Sequence, residues 1–419
     1  MKFLFPRTRV IFFYVAILSL SFGIVISLAD DQNSISQQNA TLEKTATNQA
    51  TEAPPFLVIP PPNLNVKSYV LMDSDSGFVI AEKNMNQRLQ PASLTKLMTL
   101  YLTFQALKSG QIHLDDKAAV SVNAWRTGGS RMFLKEGSDV PIHSLIQGII
   151  VASGNDSCVT IAQYITGTEQ AFSQMMNQTA QRLGMKNSHY VDSTGLPNPN
   201  HYSSAYDMAL LTRAIIKDFP QYYHLFSKKK LTFNNIKQLN RNRLLWRDNS
   251  VDGLKTGHTE KAGYCLIASA QRGRMRLISV VLGAPTDSDR TDDSEALLNY
   301  GFRFYQTQRL FDSHIPVTQK RIWLGKQKYV AFGLENALYV TFPIGDKKNL
   351  KATIQFLKPN LWAPLNNGQS YGVINISLNG KPIATAPLIA LQKDSTAGLL
   401  SRIWDHTAFF FEEIFSKTS

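Results

Sequence analysis

The segment LQPASLTKLMTLYLTFQAL, residues 89–107, restricts the possible folds of this chain strongly. From Leu97 onward it is apolar almost all round, a pattern typical of a helix buried in a domain core. The chain must therefore build a large core around this helix. Lys96 stands at the head of the helix, and Ser93 lies three residues earlier, so that both side chains share one helical face.

A lysine in such a helix loses hydration, which lowers its pKa toward a value useful to a general base. Ser93 and Lys96 are therefore a candidate nucleophile and base. The alternative is that Ser93 caps the helix and Lys96 reaches solvent. The same spacing recurs at Ser227 and Lys230, but there it lies in the charged run FSKKKLTF, with no apolar helix behind it.

The length and charge of the chain limit its class. At 419 residues it has room for two or three domains, and its formal net charge of +13 suits an anionic surface or substrate. Nucleic acid is the weaker explanation for this charge. The sequence has no zinc-ligand spacing, no aromatic RNA-binding signature and no basic helix followed by heptads.

The N-terminal segment MKFLFPRTRVIFFYVAILSLSFGIVISLAD combines a basic start, an apolar run and small residues at Ser27 and Ala29. This pattern predicts an export signal over residues 1–29, cleaved after Ala29. The apolar run is longer than usual, which leaves an uncleaved membrane anchor as the alternative. Either way the protein leaves the cytoplasm. Residues 30–57 are polar and aperiodic, and we expect them to form a flexible linker.

Two cysteines, Cys158 and Cys265, bear on the redox state of the exported chain. An even pair permits one disulfide. Each cysteine lies in an apolar segment, where a buried free thiol is the commoner state, and we therefore expect free thiols.

The periodicity of apolar residues predicts an α/β fold in the broad sense, with strands and helices in separate stretches of the chain, which is the α+β class. SYVLMDSDSGFVIAEKN reads as a hairpin around the turn residues 73–77, and helical periods dominate from there to about residue 220. AGYCLIASAQRGRMRLISVVLGA then reads as two strands around residues 271–274. Strands at each end of a helical middle predict one sheet assembled from both ends, with helices on its faces, over residues 58–305.

The pattern of apolar residues changes after LLNYGFRFYQTQRLF. Short alternating runs and an Asn379-Gly380 turn predict a small all-β domain over residues 312–392. This domain carries no obvious chemistry.

The tail GLLSRIWDHTAFFFEEIFSKTS, residues 398–419, predicts an amphipathic helix. It is too short and too charged to span a bilayer. Its aromatic residues on a polar-backed helix favour binding to the membrane surface, and docking on its own domain is the alternative. The predicted apolar face comprises Leu400, Ile403, Trp404, Thr407, Phe411, Ile414 and Phe415.

Two further motifs accompany Ser93 and Lys96. ASGNDS contains Ser153 and Asn155 at the start of a helical run, and GLKTGHT contains Lys255-Thr256-Gly257 before the late strands. Taken singly, helix caps and turns explain each motif. Their order and setting match the three-part signature of penicillin-binding proteins and class A β-lactamases.

Within that group the sequence resembles the low-molecular-mass D-alanyl-D-alanine carboxypeptidases, serine peptidases of the S11 type. The resemblance extends from the export signal to the amphipathic tail. It implies a β-lactamase/transpeptidase-like catalytic domain with an antiparallel sheet and helices, followed by the small β domain. The segments that carry it are PASLTKLMT, ASGNDSCVTIAQ, QLNRNRLLW, VDGLKTGHTEKAGY and LLNYGFRFY.

The resemblance implies three catalytic residues. Ser93 would attack the peptide bond before the terminal D-alanine of a peptidoglycan pentapeptide and form an acyl-enzyme. Lys96, neutral in a desolvated pocket, would take the proton of the Ser93 hydroxyl. Ser153 would relay a proton to the departing amine, which needs a hydroxyl that both donates and accepts.

Five substrate-binding residues follow from the same resemblance. Asn155 would hold the substrate backbone, and Lys255 and Thr256 would bind the free carboxylate that marks a chain end. Gly257, without a side chain, would let its strand approach the ligand closely. The backbone N–H of His258 would join that of the nucleophile in an oxyanion hole.

The implied partners are stem peptides ending in D-Ala-D-Ala, β-lactams as covalent inhibitors, and the membrane surface, contacted through the C-terminal helix. Nucleic acid, a metal and other cofactors are not implied. The implied location is the periplasmic face of the bacterial cytoplasmic membrane, as a peripheral protein. Arg303 in GFRFY is a candidate for additional charge near the substrate carboxylate, with a surface salt bridge as the alternative.

Three alternative functions remain at this point. A D,D-endopeptidase and a β-lactamase-like hydrolase use related chemistry, although class A β-lactamases need an additional glutamate that has no convincing counterpart in this sequence. The third alternative is a non-catalytic wall-binding protein with a vestigial site. The intact motif residues argue against it, because an unused site has no reason to keep them all.

Overall fold

The computed structural model describes residues 59–416, with side chains up to residue 410. The predicted export signal, residues 1–29, and the predicted linker, residues 30–57, lie outside the described residues. So do the side chains of residues 411–419.

A five-stranded antiparallel sheet forms the centre of the first domain. The strand order is β2–β1–β9–β8–β7, so the N-terminal hairpin pairs with strands from the far end of the domain. This confirms the predicted sheet assembled from both ends. Numbered along the chain, its strands are β1 (Ser68–Asp73), β2 (Val79–Lys83), β7 (Val251–Thr259), β8 (Gly263–Arg272) and β9 (Met275–Ala284).

Helices cover both faces of this sheet. Successive residues of β1 point to opposite faces, so Val70 and Met72 enter one hydrophobic core while Leu71 enters the other. The first core packs the sheet against the central helices, and the second packs it against the long helix that ends the domain. The helices are α1 (Lys96–Lys108), α2 (Val122–Arg126), α3 (Ile142–Gln147), α4 (Asn155–Thr166), α5 (Glu169–Arg182), α6 (Ala205–Asp218), α7 (Pro220–Tyr223), α8 (Leu244–Arg247) and α9 (Asp287–Phe304).

Helix α1 lies inside the first core, as its all-round apolar sequence predicts. Every residue from Lys96 to Phe104 is buried. A short 3₁₀ turn, Ala92–Thr95, precedes the helix and carries Ser93, which is half-buried. The nucleophile candidate therefore reaches the surface while the lysine beside it does not.

The helical run that contains Ser153 is broken rather than continuous. Helix α3 passes into a π-helical turn, Gly148–Ala152, and Ser153 then adopts a left-handed conformation with φ of 58°. Gly154 is extended, and α4 begins at Asn155. This break turns the chain sharply at Ser153. Periodicity alone cannot predict such a break, because both halves keep the helical pattern of apolar residues.

Two small two-stranded antiparallel sheets lie outside the main sheet of the first domain. Strands β3 (Lys117–Ala119) and β4 (Asp139–Pro141) form one of them. Strands β5 (Lys230–Phe233) and β6 (Ile236–Leu239) form the other.

The C-terminal part of the chain is an all-β domain, as predicted. A six-stranded sheet has the order β14–β16–β17–β12–β11–β15, and β10 pairs with β13 beside it. Asn379 and Gly380 both have positive φ and join β16 to β17, as a tight hairpin turn requires. The predicted limits of the domains stay predictions. The strands are β10 (Tyr305–Phe311), β11 (Thr318–Trp323), β12 (Tyr329–Gly333), β13 (Leu338–Pro343), β14 (Leu350–Phe356), β15 (Leu361–Trp362), β16 (Ser370–Leu378) and β17 (Lys381–Ala390).

Helix α10 (Leu399–Ser416) follows the β domain and contacts it with one side. The Phe409 ring lies 4.9 Å from the rings of both Trp323 and Trp362. The opposite side is exposed, with Leu400 84% and Trp404 76% accessible. Among residues 59–416, no helix is both long enough and apolar enough to cross a bilayer.

Both cysteines are free and buried, as expected. Burial raises the pKa of the Cys158 thiol to about 12 and that of the Cys265 thiol to about 11. Neither thiol is therefore ionised or reactive at neutral pH.

Candidate active site

The hydroxyl of Ser93 and the amine of Lys96 meet at the head of α1. The Lys96 Nζ donates one hydrogen bond to Ser93 Oγ over 2.8 Å and another to the carbonyl oxygen of Thr194 over 2.6 Å. Lys96 is completely buried. Burial lowers its pKa, because the charged ammonium loses hydration that two hydrogen bonds replace only in part. The lysine is thereby shifted toward the neutral amine that a general base requires.

The second motif residue, Ser153, faces the third motif. Lys255 Nζ, on β7, donates to Ser153 Oγ over 3.0 Å and to Thr256 O over 2.9 Å. The left-handed turn at Ser153 directs this hydroxyl toward the strand. Lys255 is 2% exposed, and burial followed by the charges of Lys96 and Arg241 lowers its pKa well below the ordinary range.

Two buried lysines thus share one cleft, and each disfavours the positive charge of the other. A ligand carboxylate at the Thr256 end would attract the positive charge to Lys255 and leave Lys96 neutral.

The side chain of Asn155 keeps one hydrogen-bond acceptor unpaired. Its Nδ2 donates to the carbonyl of Gly128 over 2.6 Å, and the side chain is only 4% exposed. Its Oδ1 is buried and has no hydrogen-bond partner among the described residues. An unpaired buried acceptor is costly, and an N–H group of a bound peptide would satisfy it.

Strand β7 brings its backbone against the nucleophile. It is the last strand of the sheet, so one side of its backbone is free to pair with an extended ligand. A Cβ atom on Gly257 would lie 3.0 Å from Pro91 O and 3.2 Å from the backbone nitrogen of Ser93. Only glycine fits this approach without a shift. The next residue, His258, is exposed, and its ring stacks on Tyr264 at 4.0 Å.

Short distances join the three motifs pairwise: Ser93 with Lys96, Ser153 with Lys255, and Gly257 with the backbone of Ser93. Asn155, Thr256 and His258 adjoin these residues in sequence, and the roles of all eight stay predictions. The sequence analysis missed the second partner of Lys96, the carbonyl of Thr194. Asp192 fixes that carbonyl, because its Oδ1 accepts from the N–H groups of Thr194 and Gly195, each over 2.7 Å. Burial by itself raises the pKa of Asp192, but the hydrogen bond and charge of His201, the Gly195 N–H and the Thr194 hydroxyl outweigh it and hold the pKa below the usual range. A carbonyl acceptor leaves no signal in a sequence.

Two arginines near the site were also missed. Arg241 Nη1 donates to Ser130 Oγ over 3.0 Å, beside the loop that Asn155 contacts. Arg290, on α9 and 5% exposed, donates from Nη1 to Gly257 O over 3.2 Å. Arg303, the candidate that the sequence offered with a surface salt bridge as the alternative, lies on the exposed end of α9 over the ring of Phe304.

A buried carboxylate supports the loop in front of the cleft. Asp156 is 1% exposed and follows Asn155 at the start of α4. Its Oδ1 accepts from Met132 N over 2.9 Å, and its Oδ2 accepts from Leu134 N over 3.1 Å. These charge-assisted bonds hold the loop in place beside the motif residues.

Comparison with protein families gives two matches that together cover most of the described chain. Residues 51–286 match the D-alanyl-D-alanine carboxypeptidase model of peptidase family S11. The chain belongs to this family. Residues 305–396 match the C-terminal domain model of penicillin-binding protein 5.

Individual relatives of this chain support the same family assignment. The chain is 44% identical over 363 residues to D-alanyl-D-alanine carboxypeptidase DacC of Escherichia coli K12, covering 85% of this chain and 91% of that protein. It is 43% identical to DacA of the same strain over 84% of this chain and 90% of the relative. The predicted family and the serine-type carboxypeptidase class are therefore confirmed.

Solved structures confirm the predicted fold class. Penicillin-binding protein 5 of Haemophilus influenzae is 41% identical with a TM-score of 0.78, covering 80% of this chain and 99% of that one. Penicillin-binding protein D2 of Listeria monocytogenes, solved with ampicillin bound, is 30% identical with a TM-score of 0.53, covering 57% of this chain and 100% of that one. The fold is thus an α+β catalytic domain followed by an all-β domain.

Proposed function

We propose that this chain removes the terminal D-alanine from peptidoglycan pentapeptides through an acyl-enzyme on Ser93. One observation carries the proposal. The amine of a completely buried lysine, Lys96, lies 2.8 Å from the Ser93 hydroxyl. This pair supplies a nucleophile together with its own base, and the reaction needs no histidine or metal to activate the hydroxyl.

Acylation begins when Ser93 Oγ attacks the carbonyl carbon of the penultimate D-alanine and its proton passes to the neutral Lys96 amine. The carbonyl oxygen becomes an oxyanion, held by the backbone N–H groups of Ser93 and His258. The C–N bond then breaks. Ser153 passes its proton to the departing amine and regains one from the Lys96 ammonium, which leaves Lys96 neutral for deacylation. The Lys255 amine, 3.0 Å away, orients the Ser153 hydroxyl.

Deacylation repeats these steps with water as the nucleophile. Lys96 takes a proton from water, the ester bond to Ser93 breaks, and the serine regains its proton. A β-lactam acylates the same oxygen, but its opened ring keeps the leaving amine attached. The family binds β-lactams, and the ampicillin complex of the Listeria relative supports this step here.

A terminal carboxylate is the feature that distinguishes the substrate from an internal peptide bond. Lys255 and the Thr256 hydroxyl are proposed to bind it, with Asn155 Oδ1 accepting from the substrate backbone. Arg241 and Arg290 add positive charge on the same side of the cleft. A carboxylate among such groups forms charge-assisted hydrogen bonds, which are about twice as strong as neutral ones.

The proposed location is the outer surface of the cytoplasmic membrane, with α10 in the lipid interface. The exposed side of α10 carries Leu400, Ile403 and Trp404, and burying each such side chain contributes about 1.5 kcal/mol or more. The other side contacts the β domain. Asp405 Oδ2 accepts from Leu324 N over 3.0 Å, which fixes the helix on the domain while its apolar side stays exposed.

The proposal is tested by assaying two activities of one protein. Wild type should become labelled by a fluorescent penicillin and should release D-alanine from a pentapeptide ending in D-Ala-D-Ala. Ser93→Ala should lose both activities while its melting temperature stays close to that of wild type. Release of D-alanine by Ser93→Ala at the wild-type rate would move the nucleophile elsewhere.

A further inference from the structure

A basic stretch of the chain borders the active site. Residues 225–247 contain seven basic residues and no acidic one. The stretch includes the run FSKKKLTF, whose Ser227 and Lys230 repeat the Ser-x-x-Lys spacing without a buried helix. It folds into the hairpin of β5 and β6 and ends in α8. Its charge is therefore held at a defined place beside the site.

The register of the hairpin places its lysines on one face. Lys230 pairs with Leu239, and Thr232 pairs with Lys237, so these four side chains point the same way. All four are exposed, whereas Leu231, on the opposite face, is buried. The hairpin is thus anchored by its apolar face and presents two lysines and one leucine to solvent. We call this exposed side the basic face.

The basic face continues into a groove of about 560 Å³, which Leu239 also lines. Trp246 is 46% exposed in this groove, and Lys229 Nζ lies 5.9 Å from the centre of its ring. The lining also includes Arg241, Arg243 and Arg290. We call this groove the basic groove. It combines positive charge with an exposed indole and an exposed leucine.

The groove meets the catalytic cleft at two points. Arg241 bonds Ser130, whose carbonyl accepts from the backbone nitrogen of Asn155 over 2.7 Å. Arg290 bonds the carbonyl of Gly257. A ligand that leaves the cleft on this side therefore passes directly into the groove.

Acidic side chains neutralise this surface only in part. Arg247, which also lines the groove, pairs with Asp292 and Glu295. The one carboxylate in the groove lining, Asp287, is shared between Arg243 and Arg290. Among the ion pairs of residues 59–410, none involves Arg241, Lys230 or Lys237. An anionic ligand would therefore gain favourable electrostatic contacts with these three side chains without breaking an ion pair.

We propose that the basic face and the basic groove bind a second, anionic stem peptide of the peptidoglycan polymer while a first stem occupies the active site. The inference rests on the proposed function. Stem peptides repeat along a wall strand and carry free carboxylates, and their aliphatic portions can pack on Trp246 and Leu239. A short soluble substrate has one stem only. The surface should therefore accelerate cleavage of the polymer and leave cleavage of the short peptide unchanged.

The test uses a triple variant, Lys229→Gln, Lys230→Gln and Lys237→Gln, of the full chain in mild detergent. Among residues 59–410, no hydrogen bond or ion pair joins the side chains of these lysines to the motif residues. D-alanine release is measured from isolated sacculi rich in pentapeptide and from a soluble acetylated tripeptide ending in D-Ala-D-Ala. We expect kcat/KM on sacculi to fall about tenfold, with the tripeptide value unchanged. Raising the salt to about 0.5 M should reduce the wild-type sacculus rate toward that of the variant.

A matched control removes the same charge elsewhere. Lys347→Gln, Lys348→Gln and Lys351→Gln alter exposed lysines of the β domain and should leave both rates unchanged. An unchanged sacculus rate in the hairpin variant would overturn the inference, as would an equal fall in both triple variants or on both substrates. Failure of wild type to cleave the tripeptide would overturn the proposed function itself.

Discussion

Replacing Gly257 with alanine perturbs the geometry around the nucleophile without touching its chemistry. The added Cβ would stand 3.0 Å from Pro91 O and 3.2 Å from Ser93 N, so a neighbour must move by a few tenths of an ångström. Both contacting atoms are backbone, which cannot rotate aside as a side chain can. The displaced group is the Ser93 N–H, one of the two proposed oxyanion-hole donors. Such donors act only within about 2.7–3.1 Å of the oxyanion, and losing one costs about 10²–10³-fold in rate.

We therefore expect Gly257→Ala to slow penicillin acylation and D-alanine release about 10²-fold, with a loss of about 1–2 kcal/mol in the free energy of unfolding. Stopped-flow acylation and denaturant unfolding measure the two quantities separately. Gly398→Ala is the control, because its Cβ would meet nothing within 4 Å. Acylation at the wild-type rate in Gly257→Ala would refute the role of the Ser93 N–H.

Three further predictions follow from the buried lysines and from α10. Lys96→Met should abolish D-alanine release, because it removes the proposed base. It should also raise the free energy of unfolding by about 1–2 kcal/mol, because methionine fills the core without the cost of burying an ionisable amine. The unfolded chain keeps the Lys96 proton up to about pH 10 and the folded chain releases it at lower pH, so this gain should shrink as pH rises toward 10 in denaturant titrations; a gain that grows with pH would contradict the burial argument. Lys255→Ala should weaken acylation roughly 10²-fold, and replacing the substrate carboxylate with an amide should damage wild type far more than this variant; equal damage would exclude Lys255 as the carboxylate ligand. The double variant Leu400→Gln with Trp404→Gln should move the protein from the membrane to the soluble fraction at an unchanged rate of D-alanine release. It is preferred to truncation after residue 396, which would also uncover the tryptophans that Phe409 contacts. A double variant that stays in the membrane fraction would indicate an N-terminal anchor.

Much of the fold could be predicted because the pattern of apolar residues in the sequence matches the residues that are buried in the structure. Helix α1 is apolar on all sides and lies inside the core, and the turn at Asn379 and Gly380 has the residues that its positive φ angles need. The break at Ser153 could not be predicted, since nothing in the apolar pattern distinguishes a π-helical turn from a regular one. That break nevertheless sets the direction of the Ser153 hydroxyl.

The motif residues of the site could be predicted, but their surroundings could not. Thr194 acts through its carbonyl, which every residue possesses. Arg290 and Arg303 lie on the same helix, and the sequence analysis named only Arg303 as a candidate for charge near the site. Their 13-residue separation corresponds to about 20 Å along a helix, so only Arg290 reaches the strand that carries Gly257. The register between α9 and the sheet decides this, and it depends on packing rather than on sequence pattern.

The nucleophile itself can be located by trapping the acyl-enzyme. Wild type and Ser93→Ala are each incubated with penicillin, quenched in acid and digested, and the added mass is assigned to a residue by tandem mass spectrometry. We expect one adduct in wild type, on Ser93, and none in the variant. An adduct on Ser153 or on any other residue of wild type, or an adduct that persists in Ser93→Ala, would contradict the assignment of Ser93 and Lys96 as nucleophile and base.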